Sequence, residues 1–579
     1  MTTIRQQPPC FSETEARSSA GDLFGVTGTA RPLPSERDQN FLLETDSGPE
    51  FVLKVSNSSE SRANLEAQNQ VLEYLAHKAP SLRCPRVMAT TQGEHIGQRK
   101  RSDGSTHLVR LLSYVPGHLL VDVSPHTPEL LHSFGLFFAR LDQALASFSH
   151  PALKRELQWD LARARQVVGQ QLVHIEDRER RSLVTHFHQR FQELAEPALP
   201  SLRLSVIHND GNDYNVLVTG LPTLGGEVTG VLDFGDMVSS CTVFELAVCA
   251  AYAILDKADP VAAAADVVGG YHSANPLTEL ELRLLYDLIA MRLCTSVTMS
   301  ASQQKCHPEN AYLTVSEVPA WAALERLARV NPRYAHYAFR AACGLPACPR
   351  SAPVVQWLSD NPGAIGPVAS PDVRRGNYVT FDLAAGSSEL VGIEDPTDPN
   401  LLAEALFGRM RTEGASVGVG RYDEARRSYT TEHYRPLGSE VEDWRTVHLG
   451  IDLFLKPGSP VFAPLEGAVH SFRNNAQAQD YGPTIILRHE VEGIGEFYTL
   501  YGHLREQSLD GVSVGMQITK GRQIGAIGES SVNGFWPPHL HFQLITDVLD
   551  YSGDFPGVCA DRDRAVWLSI SPDPNLILS

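Results

Sequence analysis

Residues 206–218 read VIHNDGNDYNVLV, and this stretch decides how the first part of the chain is interpreted. Two apolar runs flank a polar loop, a pattern that favours two strands joined by a turn. The loop carries His208 and Asp210, and Asn215 follows five residues after Asp210. The sequence therefore predicts that a carboxylate and an amide lie together at the end of a strand.

A second stretch of this kind follows at residues 231–236, VLDFGD, where an apolar strand leads Asp233 into a turn with Gly235. A carboxylate can accept the proton of an attacking hydroxyl, while an amide and a second carboxylate supply the hard oxygen ligands that Mg²⁺ prefers. The two stretches together contain the groups that phosphoryl transfer needs.

Upstream, Lys54 lies within the strand-like run 51–55 and Glu66 within the helical pattern 61–78. A lysine on a buried strand is costly unless it is paired, so this order suggests an ion pair that positions a phosphate-binding ammonium. Taken singly, the polar residues have plainer interpretations, as loop caps, turn formers or an edge-strand lysine. Their common order, Lys, Glu, His-x-Asp, Asn and Asp-Phe-Gly, is typical of kinases.

Residues 21–347 resemble the aminoglycoside phosphotransferase and choline kinase-like superfamily, in its homoserine kinase-like and hydroxylysine kinase-like branch. Besides the motifs above, the resemblance rests on LPSERDQNFL at 33–42 and on YVPG at 114–117, the expected hinge between two lobes. It implies a bilobal α+β fold, a small hydroxylated substrate, Mg²⁺ and ATP or GTP. The implied roles are catalytic base for Asp210, Mg²⁺ ligands for Asn215 and Asp233, phosphate contact for Lys54, and partner of Lys54 for Glu66.

A different set of polar residues occurs near the C-terminus, beginning with TVHLGIDLFL at 446–455. Side chains alternate along a strand, so His448, Gly450 and Asp452 are predicted to share one face. The glycine leaves space between the imidazole and the carboxylate, and that space suits an ion.

Three further histidines are found in PHLHFQL at 538–544 and in YGHL at 501–504. His539 and His541 share a strand face by the same alternation, and His503 follows another strand. Two histidines and one aspartate, with a fourth position open to water, are typical of catalytic rather than structural zinc. Two histidines then remain to move protons and stabilise an oxyanion.

Residues 444–549 resemble the lysostaphin-type zinc metallopeptidases. The resemblance rests on HLGID at 448–452, APLEG at 463–467, YGHL at 501–504 and HLHF at 539–542. It implies that His448, Asp452 and His541 bind Zn²⁺ and that His503 and His539 are catalytic. A cytosolic peptide or amide is the predicted substrate class.

The pairing of the two regions resembles bacterial fusions that add a class III aminotransferase-like, pyridoxal phosphate-dependent phospho-lyase module. The sequence stops before such a module, so the resemblance implies either a shorter protein with a separate phospho-lyase as partner or a sequence cut from a longer fusion. We predict a multidomain architecture, with an α+β bilobal kinase-like domain followed by a mostly β metallopeptidase domain. Its predicted parts are a tail at 1–20, a small lobe at 21–117, a large helical lobe at 118–347, a proline-rich linker at 348–375, a β-containing lead-in at 376–440 and the metallopeptidase domain at 441–579.

Composition limits the partners. The chain has 579 residues and a formal net charge of −19. This acidic balance argues against binding to a nucleic-acid backbone. The apolar run 244–255 is shorter than the roughly 18 residues that a membrane span needs, and no secretory signal is legible. We therefore expect a cytoplasmic protein with neither nucleic-acid nor membrane partners.

The predicted activity is nucleotide-dependent phosphorylation of a hydroxyl on a small amino alcohol or hydroxy amino acid, of hydroxylysine, ethanolamine or homoserine type. A zinc-dependent peptidase or amidase accompanies it in the same chain. Two alternatives stay open, an aminoglycoside-modifying kinase and a non-catalytic binding or scaffold protein that retains both folds.

Overall fold

The computed structural model describes residues 9–35, 37–101, 104–220, 226–306, 317–395, 397–429, 431, 434 and 444–579. Contacts divide the chain into two compact units, Met1–Cys343 and Gly344–Ser579. Each unit is described by itself below. No helix within the described ranges is long and apolar enough to cross a membrane.

The N-terminal unit begins with a strand-rich small lobe. Its elements are α1 Glu13–Phe24, β1 Thr29–Leu33, β2 Gln39–Thr45, β3 Gly48–Val55, α2 Arg62–Lys78, β4 Val87–Met88, β5 Gly97–Lys100 and β6 Thr106–Ser113. The strands form an antiparallel sheet in the order β1-β2-β3-β6-β4, and β5 also pairs with β6. In this register Lys54 on β3 lies between Asn40 on β2 and Arg110 on β6.

The large lobe is mainly helical. Its helices are α3 Pro128–Leu145, α4 Ala164–Gln171, α5 Arg178–Arg190, α6 Val243–Ala253, α7 Pro260–Ala274, α8 Glu279–Cys306, α9 Glu317–Leu327 and α10 Pro332–Ala342. Helices α3 and α7 cross closely, because a Cβ atom at Gly135 would lie 1.8 Å from Val267 O and one at Gly270 would lie 1.9 Å from His132 O. The backbones of the two helices are therefore in direct contact.

Short strands in the large lobe carry the two polar loops. They are β7 His118–Leu119, β8 Leu204–Ile207, β9 Val216–Thr219, β10 Glu227–Val231 and β11 Val238–Cys241. Strand β9 pairs with β10 and β7, and β8 pairs with β11. The 208–215 loop joins β8 to β9 and the 232–237 loop joins β10 to β11, so both loops run between the same two pairs of strands.

The C-terminal unit is mostly β. Its elements are α11 Ser351–Asp360, β12 Tyr378–Phe381, α12 Pro399–Glu413, β13 Val417–Gly420, β14 Glu424–Ala425, β15 Val447–His448, β16 Ile451–Phe454, β17 Pro460–Phe462, β18 Gly467–Asn475, β19 Gly482–Val491, β20 Gly495–Gly502, β21 Gln517–Ile518, β22 Gln523–Ala526, β23 His539–Ile545, β24 Val558–Cys559, α13 Arg564–Ile570 and α14 Asn575–Leu578. The main sheet has the order β12-β13-β16-β23-β20-β19-β18-β21. The predicted fold class, α+β followed by mostly β, is confirmed.

Residues 348–375, predicted to be a linker, contain a helix that belongs to the C-terminal unit. Residues 348–375 include α11, and its Val354 and Leu358 are buried in the core of the C-terminal unit. The accumulated prolines predict a linker, but the stretch contains a helix, with Pro353 in its first turn, that packs on the core. Further on, β12 and β13 pair in parallel on either side of α12, so the predicted lead-in adds two strands beside β16.

Candidate functional sites

The loop after β8 is held by a buried glutamate from α6. The backbone amides of His208 and Asn209 donate to Glu245 Oε2 at 2.5 and 3.0 Å. Asn209 has a left-handed φ of 66°, which turns the chain sharply at this point. The His208 ring is buried, and its Nε2 lies 2.8 Å from the carbonyl oxygen of Leu232. The loop is thereby tied to the strand that delivers Asp233.

Asp210 lies at the centre of this loop. Asn215 Nδ2 donates to Asp210 Oδ2 at 2.7 Å, and Asn212 Nδ2 donates to Oδ1 at 2.9 Å. Burial, reinforced by the charge of Asp236, raises the pKa of Asp210 to about 8, although Arg292 opposes the shift. The Asn215 amide nitrogen is committed to Asp210, which leaves the amide oxygen as the atom that could ligate a cation.

Asp233 is joined to the small lobe by an ion pair. Its Oδ1 accepts hydrogen bonds from Lys54 Nζ at 3.2 Å and from the Gly235 amide at 3.0 Å. The Lys54 charge holds the pKa of Asp233 well below its ordinary value. An ionised carboxylate and an amide oxygen are a donor set that fits Mg²⁺. The structure thus brings together Asp210, Asn215, Asp233 and Lys54.

Glu66 does not join this group. Its side chain is half exposed and pairs with Arg62 Nη1 at 3.3 Å on the same helix. The face of α2 that meets the sheet instead presents Gln68 and Asn69, whose side-chain oxygens accept hydrogen bonds from Arg110 at 2.7 and 3.0 Å. The expected pair between Lys54 and Glu66 is wrong in this structure, because the helical pattern did not specify which polar residue faces the sheet.

Sequence reasoning also missed Arg292 on α8. Its side chain is almost fully buried, and its guanidinium lies over the rings of Trp159 and Tyr252, at 4.8 and 5.6 Å from their centroids. Arg292 Nη1 donates to the Trp159 carbonyl at 3.0 Å, and Nη2 lies 3.7 Å from Asp210 Oδ1. No motif surrounds this arginine, and only the fold of α8 brings it to the loop.

In the C-terminal unit, three predicted ligands converge. Asp452 Oδ1 lies 3.2 Å from both His448 Nε2 and His541 Nδ1, and those two nitrogens are 3.0 Å apart. Each imidazole is oriented from behind, with His448 Nδ1 at 3.0 Å from the Arg421 carbonyl and His541 Nε2 at 3.0 Å from Gln543 Oε1. The inward nitrogens are therefore left as ligand atoms.

This donor set fits zinc, since two imidazole nitrogens and one carboxylate oxygen from buried side chains lie within 4.8 Å of one another. Burial lowers the pKa of His448 to about 4, so its ring is neutral, as a metal ligand must be. Burial alone would raise the pKa of Asp452, but His448 and Arg426 bring it well below its ordinary value.

The spacing between His448 and Asp452 has a different origin from the one predicted. His448 ends β15 and Asp452 lies in β16, and these strands belong to different sheets. Gly450 lies between them, and a Cβ atom there would be 2.6 Å from His541 Cε1 and Nε2. The predicted gap at Gly450 is present, but it accommodates the third ligand and does not separate residues of one strand.

His503 and His539 lie beside the cluster, with ring centroids 4.2 Å apart. Their Nδ1 atoms lie 2.9 and 2.6 Å from the carbonyls of Asn533 and Pro537. Burial lowers the pKa of both rings. They border a cleft of about 640 Å³ whose walls include Tyr429 and Trp536.

The comparisons with known proteins cover both units. Residues 29–284 match the model of the phosphotransferase enzyme family, and residues 446–550 match peptidase family M23. Hydroxylysine kinase from Bos taurus is 30% identical over 339 residues, which cover 55% of this chain and 90% of that protein. Hydroxylysine kinase from Danio rerio is 32% identical over 337 residues, which cover 56% and 94% of the two chains. An uncharacterized metalloprotease from Haemophilus influenzae is 26% identical over 171 residues, which cover 29% and 32%.

Proposed function

This chain belongs to the phosphotransferase enzyme family and also carries a peptidase family M23 domain, and from that premise we propose a specific reaction for each unit. The N-terminal unit transfers the terminal phosphate of ATP or GTP to the hydroxyl of a small amino alcohol or hydroxy amino acid. Compounds of hydroxylysine, ethanolamine or homoserine type are the proposed acceptors. The similarity to hydroxylysine kinases over 90% of their length favours a hydroxy amino acid over an aminoglycoside.

The observation that carries the proposal is that the 208–215 loop, the 232–237 loop and strand β3 bring their polar side chains together. Asp210 is held 2.7 Å from Asn215, and Asp233 is held 3.2 Å from Lys54. In the proposed reaction Asp210 accepts the proton of the acceptor hydroxyl at a carboxylate oxygen. Asn215 and Asp233 would hold Mg²⁺, which when bound neutralises charge on the phosphates, and Lys54 would contact a phosphate oxygen.

The kinase proposal is tested by phosphate transfer with the purified full chain, Mg²⁺, and ATP or GTP. The acceptor panel contains hydroxylysine, homoserine, ethanolamine and aminoglycosides. Asp210→Asn is the test variant, and Asp46→Asn, an exposed carboxylate in the turn between β2 and β3, is its matched control. We expect turnover of one amino-acid or amino-alcohol acceptor that only Asp210→Asn removes.

Other outcomes would point elsewhere. Turnover of an aminoglycoside alone would support the aminoglycoside-modifying alternative. Nucleotide binding without any Asp210-dependent transfer would support the non-catalytic scaffold.

For the C-terminal unit we propose zinc-dependent hydrolysis of a peptide or amide. His448, Asp452 and His541 would hold Zn²⁺, which when bound polarises a carbonyl and acidifies a water molecule. His503 and His539, which lie beside the cluster, would stabilise negative charge on the carbonyl oxygen and give a proton to the leaving amine.

Zinc content and hydrolysis of a peptide library test this second proposal. His541→Ala should lose both zinc and hydrolysis. His503→Ala should keep zinc and lose hydrolysis, while His470→Ala, a partly buried histidine on β18, should keep both. Hydrolysis that survives His541→Ala would exclude the zinc mechanism.

A phosphate ester close to an amine is a good leaving group for elimination. We therefore propose that a separate pyridoxal phosphate-dependent phospho-lyase consumes the product of the kinase unit. The test is to add such a lyase to the phosphorylated product and measure phosphate release, and no release would remove this partner from the proposal.

A further inference from the structure

The zinc-ligand cluster receives part of its support from residues that lie before the matched peptidase region. That region begins at residue 446, yet the carbonyl oxygen of Arg421 lies 3.0 Å from His448 Nδ1. The same carbonyl accepts a hydrogen bond from Arg426 Nη2 at 3.1 Å. One backbone oxygen thus orients a ligand histidine and an arginine side chain together.

The Arg426 side chain continues this support to the ligand carboxylate. Its Nη1 donates to Asp452 Oδ2 at 2.5 Å, and its Nε donates to Glu424 Oε2 at 2.7 Å. The side chains of all three residues are at least 95% buried. Glu424 is anchored in turn, because its Oε1 accepts a hydrogen bond from the Leu383 amide at 2.9 Å.

The two carboxylate oxygens of Asp452 therefore make different contacts. Oδ2 is occupied by Arg426, while Oδ1 lies 3.2 Å from each ligand imidazole. The guanidinium also balances the two neighbouring carboxylates, which would otherwise repel each other in a buried place. Asp452 is thus held with Oδ1 facing the two ligand imidazoles.

We propose that Arg426 is a positioning residue of the zinc centre, and that the strand segment 417–426 is an integral part of that centre. The proposal rests on the proposed zinc function of the C-terminal unit. It identifies a second-sphere contact that holds Asp452 as a one-oxygen ligand. It also predicts that metal affinity depends on residues outside the matched peptidase region.

The alternative is a purely structural role, in which Arg426 only fastens the segment to the unit. The chain offers a matched control for that role. Arg564 Nε donates to Asp423 Oδ1 at 2.7 Å and fastens the same segment, but Arg564 has no contact with the ligand cluster among the described contacts. Loss of the Arg564 pair should loosen the segment without releasing Asp452.

The experiment measures Zn²⁺ affinity of the full chain by competition with a chromogenic chelator. The variants are Arg426→Met, Arg426→Lys and Arg564→Met, with thermal unfolding of the metal-free proteins measured in parallel. We expect Arg426→Met to bind Zn²⁺ roughly 10 to 100 times more weakly, the usual effect of losing a second-sphere partner. Arg426→Lys should recover part of this loss, since one ammonium can reach one carboxylate, and Arg564→Met should bind as the parent chain does.

Each other outcome is decisive. Parent-like affinity in Arg426→Met, or an equal loss in Arg426→Met and Arg564→Met, would overturn the proposal and leave the zinc function intact. Absence of Zn²⁺ binding by the parent chain would instead overturn the proposed zinc function itself. If Arg426→Met does not fold, Glu424→Gln decides, because weakening the anchor of Arg426 should lower affinity several-fold and unchanged affinity would again overturn the proposal.

Discussion

Lys54 donates a hydrogen bond to Asp233 across 3.2 Å, so the cation of strand β3 is paired with the loop carboxylate that is the proposed metal ligand. Lys54 is buried, which makes such a partner necessary. The carboxylate of Glu66 faces solvent and pairs within its own helix. Among the described ion pairs, the small lobe therefore meets this loop through Lys54 with Asp233 and through Arg37 with Asp236, and Glu66 of α2 has no part in these contacts.

This pairing predicts unequal effects for two variants. Lys54→Met should lower kcat/KM for the nucleotide by roughly 10²–10³-fold, since it removes a charge aimed at the phosphates. Glu66→Ala should stay within about twofold of the parent, the small effect expected of an exposed ion pair. Initial rates at varied nucleotide concentration measure both. An equal loss in Glu66→Ala would mean that Glu66 moves to Lys54 during the reaction.

Arg292 should act on the reaction through Asp210. Arg292→Lys keeps the charge but cannot donate to the Trp159 carbonyl while also remaining close to Asp210, so the positive charge beside Asp210 Oδ1 is displaced. We expect kcat to fall roughly 10²-fold, with KM for the nucleotide unchanged, because small misplacements of a catalytic group have effects of this size.

The matched control for Arg292 is Arg203→Lys. Arg203 forms a two-bond pair with the buried Glu281, at 2.9 and 2.8 Å, and no described contact joins it to Asp210. It should change stability and leave kcat within about twofold of the parent. A parallel fall of kcat in both variants would assign the effect of Arg292 to folding alone.

The contrast between these residues explains what the sequence could predict. Asp210 and Asn215 lie five residues apart in one loop, and local backbone geometry is enough to bring them together. Arg292 reaches the same loop only through the packing of α8, and no short-range pattern encodes that packing. The predicted pair between Lys54 and Glu66 is wrong for a related reason. The helical period identifies the faces of a helix but not the angle at which the helix packs on a sheet.

The C-terminal unit shows the same contrast between residues in short motifs and residues placed only by packing. His448, Asp452 and His541 stand in short motifs, and strand register places Asp452 opposite His541. Arg426 has no such motif, and its contact with Asp452 is seen only when β13 and β14 are placed beside the cluster. The prolines of 348–375 predict a linker, whereas the apolar residues Val354 and Leu358 in that stretch face the core of the C-terminal unit.

Gly450 should be essential for the zinc centre for a steric reason. A methyl group there would lie 2.6 Å from the His541 ring and 2.8 Å from Phe542 O, so His541 or the backbone of β23 must move. We expect Gly450→Ala to lower Zn²⁺ affinity at least about tenfold and to destabilise the unit by about 1–3 kcal/mol. Chelator competition and urea unfolding measure the two effects.

The control for Gly450 is Gly363→Ala, where an added Cβ meets nothing within 4 Å. This variant should bind zinc as the parent does. Parent-like zinc binding in Gly450→Ala would show that the ligand geometry tolerates a shift of His541.

His489 makes the stability of the C-terminal unit depend on pH. Its ring is buried, with Nδ1 at 2.7 Å from the Glu466 carbonyl and Nε2 at 2.8 Å from Thr499 Oγ1, and burial lowers its pKa to about 4. An unfolded histidine has a pKa of about 6.5, so between these values the unfolded chain binds more protons than the folded one. The contribution of the neutral ring is therefore fully present above pH 6.5 and is lost as the pH falls towards 4, by about 3 kcal/mol.

The measurement is urea unfolding of the full chain at several pH values between 4 and 7, compared with His489→Gln. The variant should be less stable than the parent at pH 7, because glutamine cannot reproduce both ring hydrogen bonds. Its free energy of unfolding should nevertheless fall less steeply on acidification, since it has no ring to protonate when unfolded. His118 is exposed, so His118→Gln is the control for loss of an imidazole. Its free energy of unfolding should depend on pH as steeply as that of the parent. Equal slopes for the parent and His489→Gln would mean that the buried ring accepts a proton without unfolding, and the Thr499 hydroxyl would then have to accept a hydrogen bond from Nε2 in place of donating one.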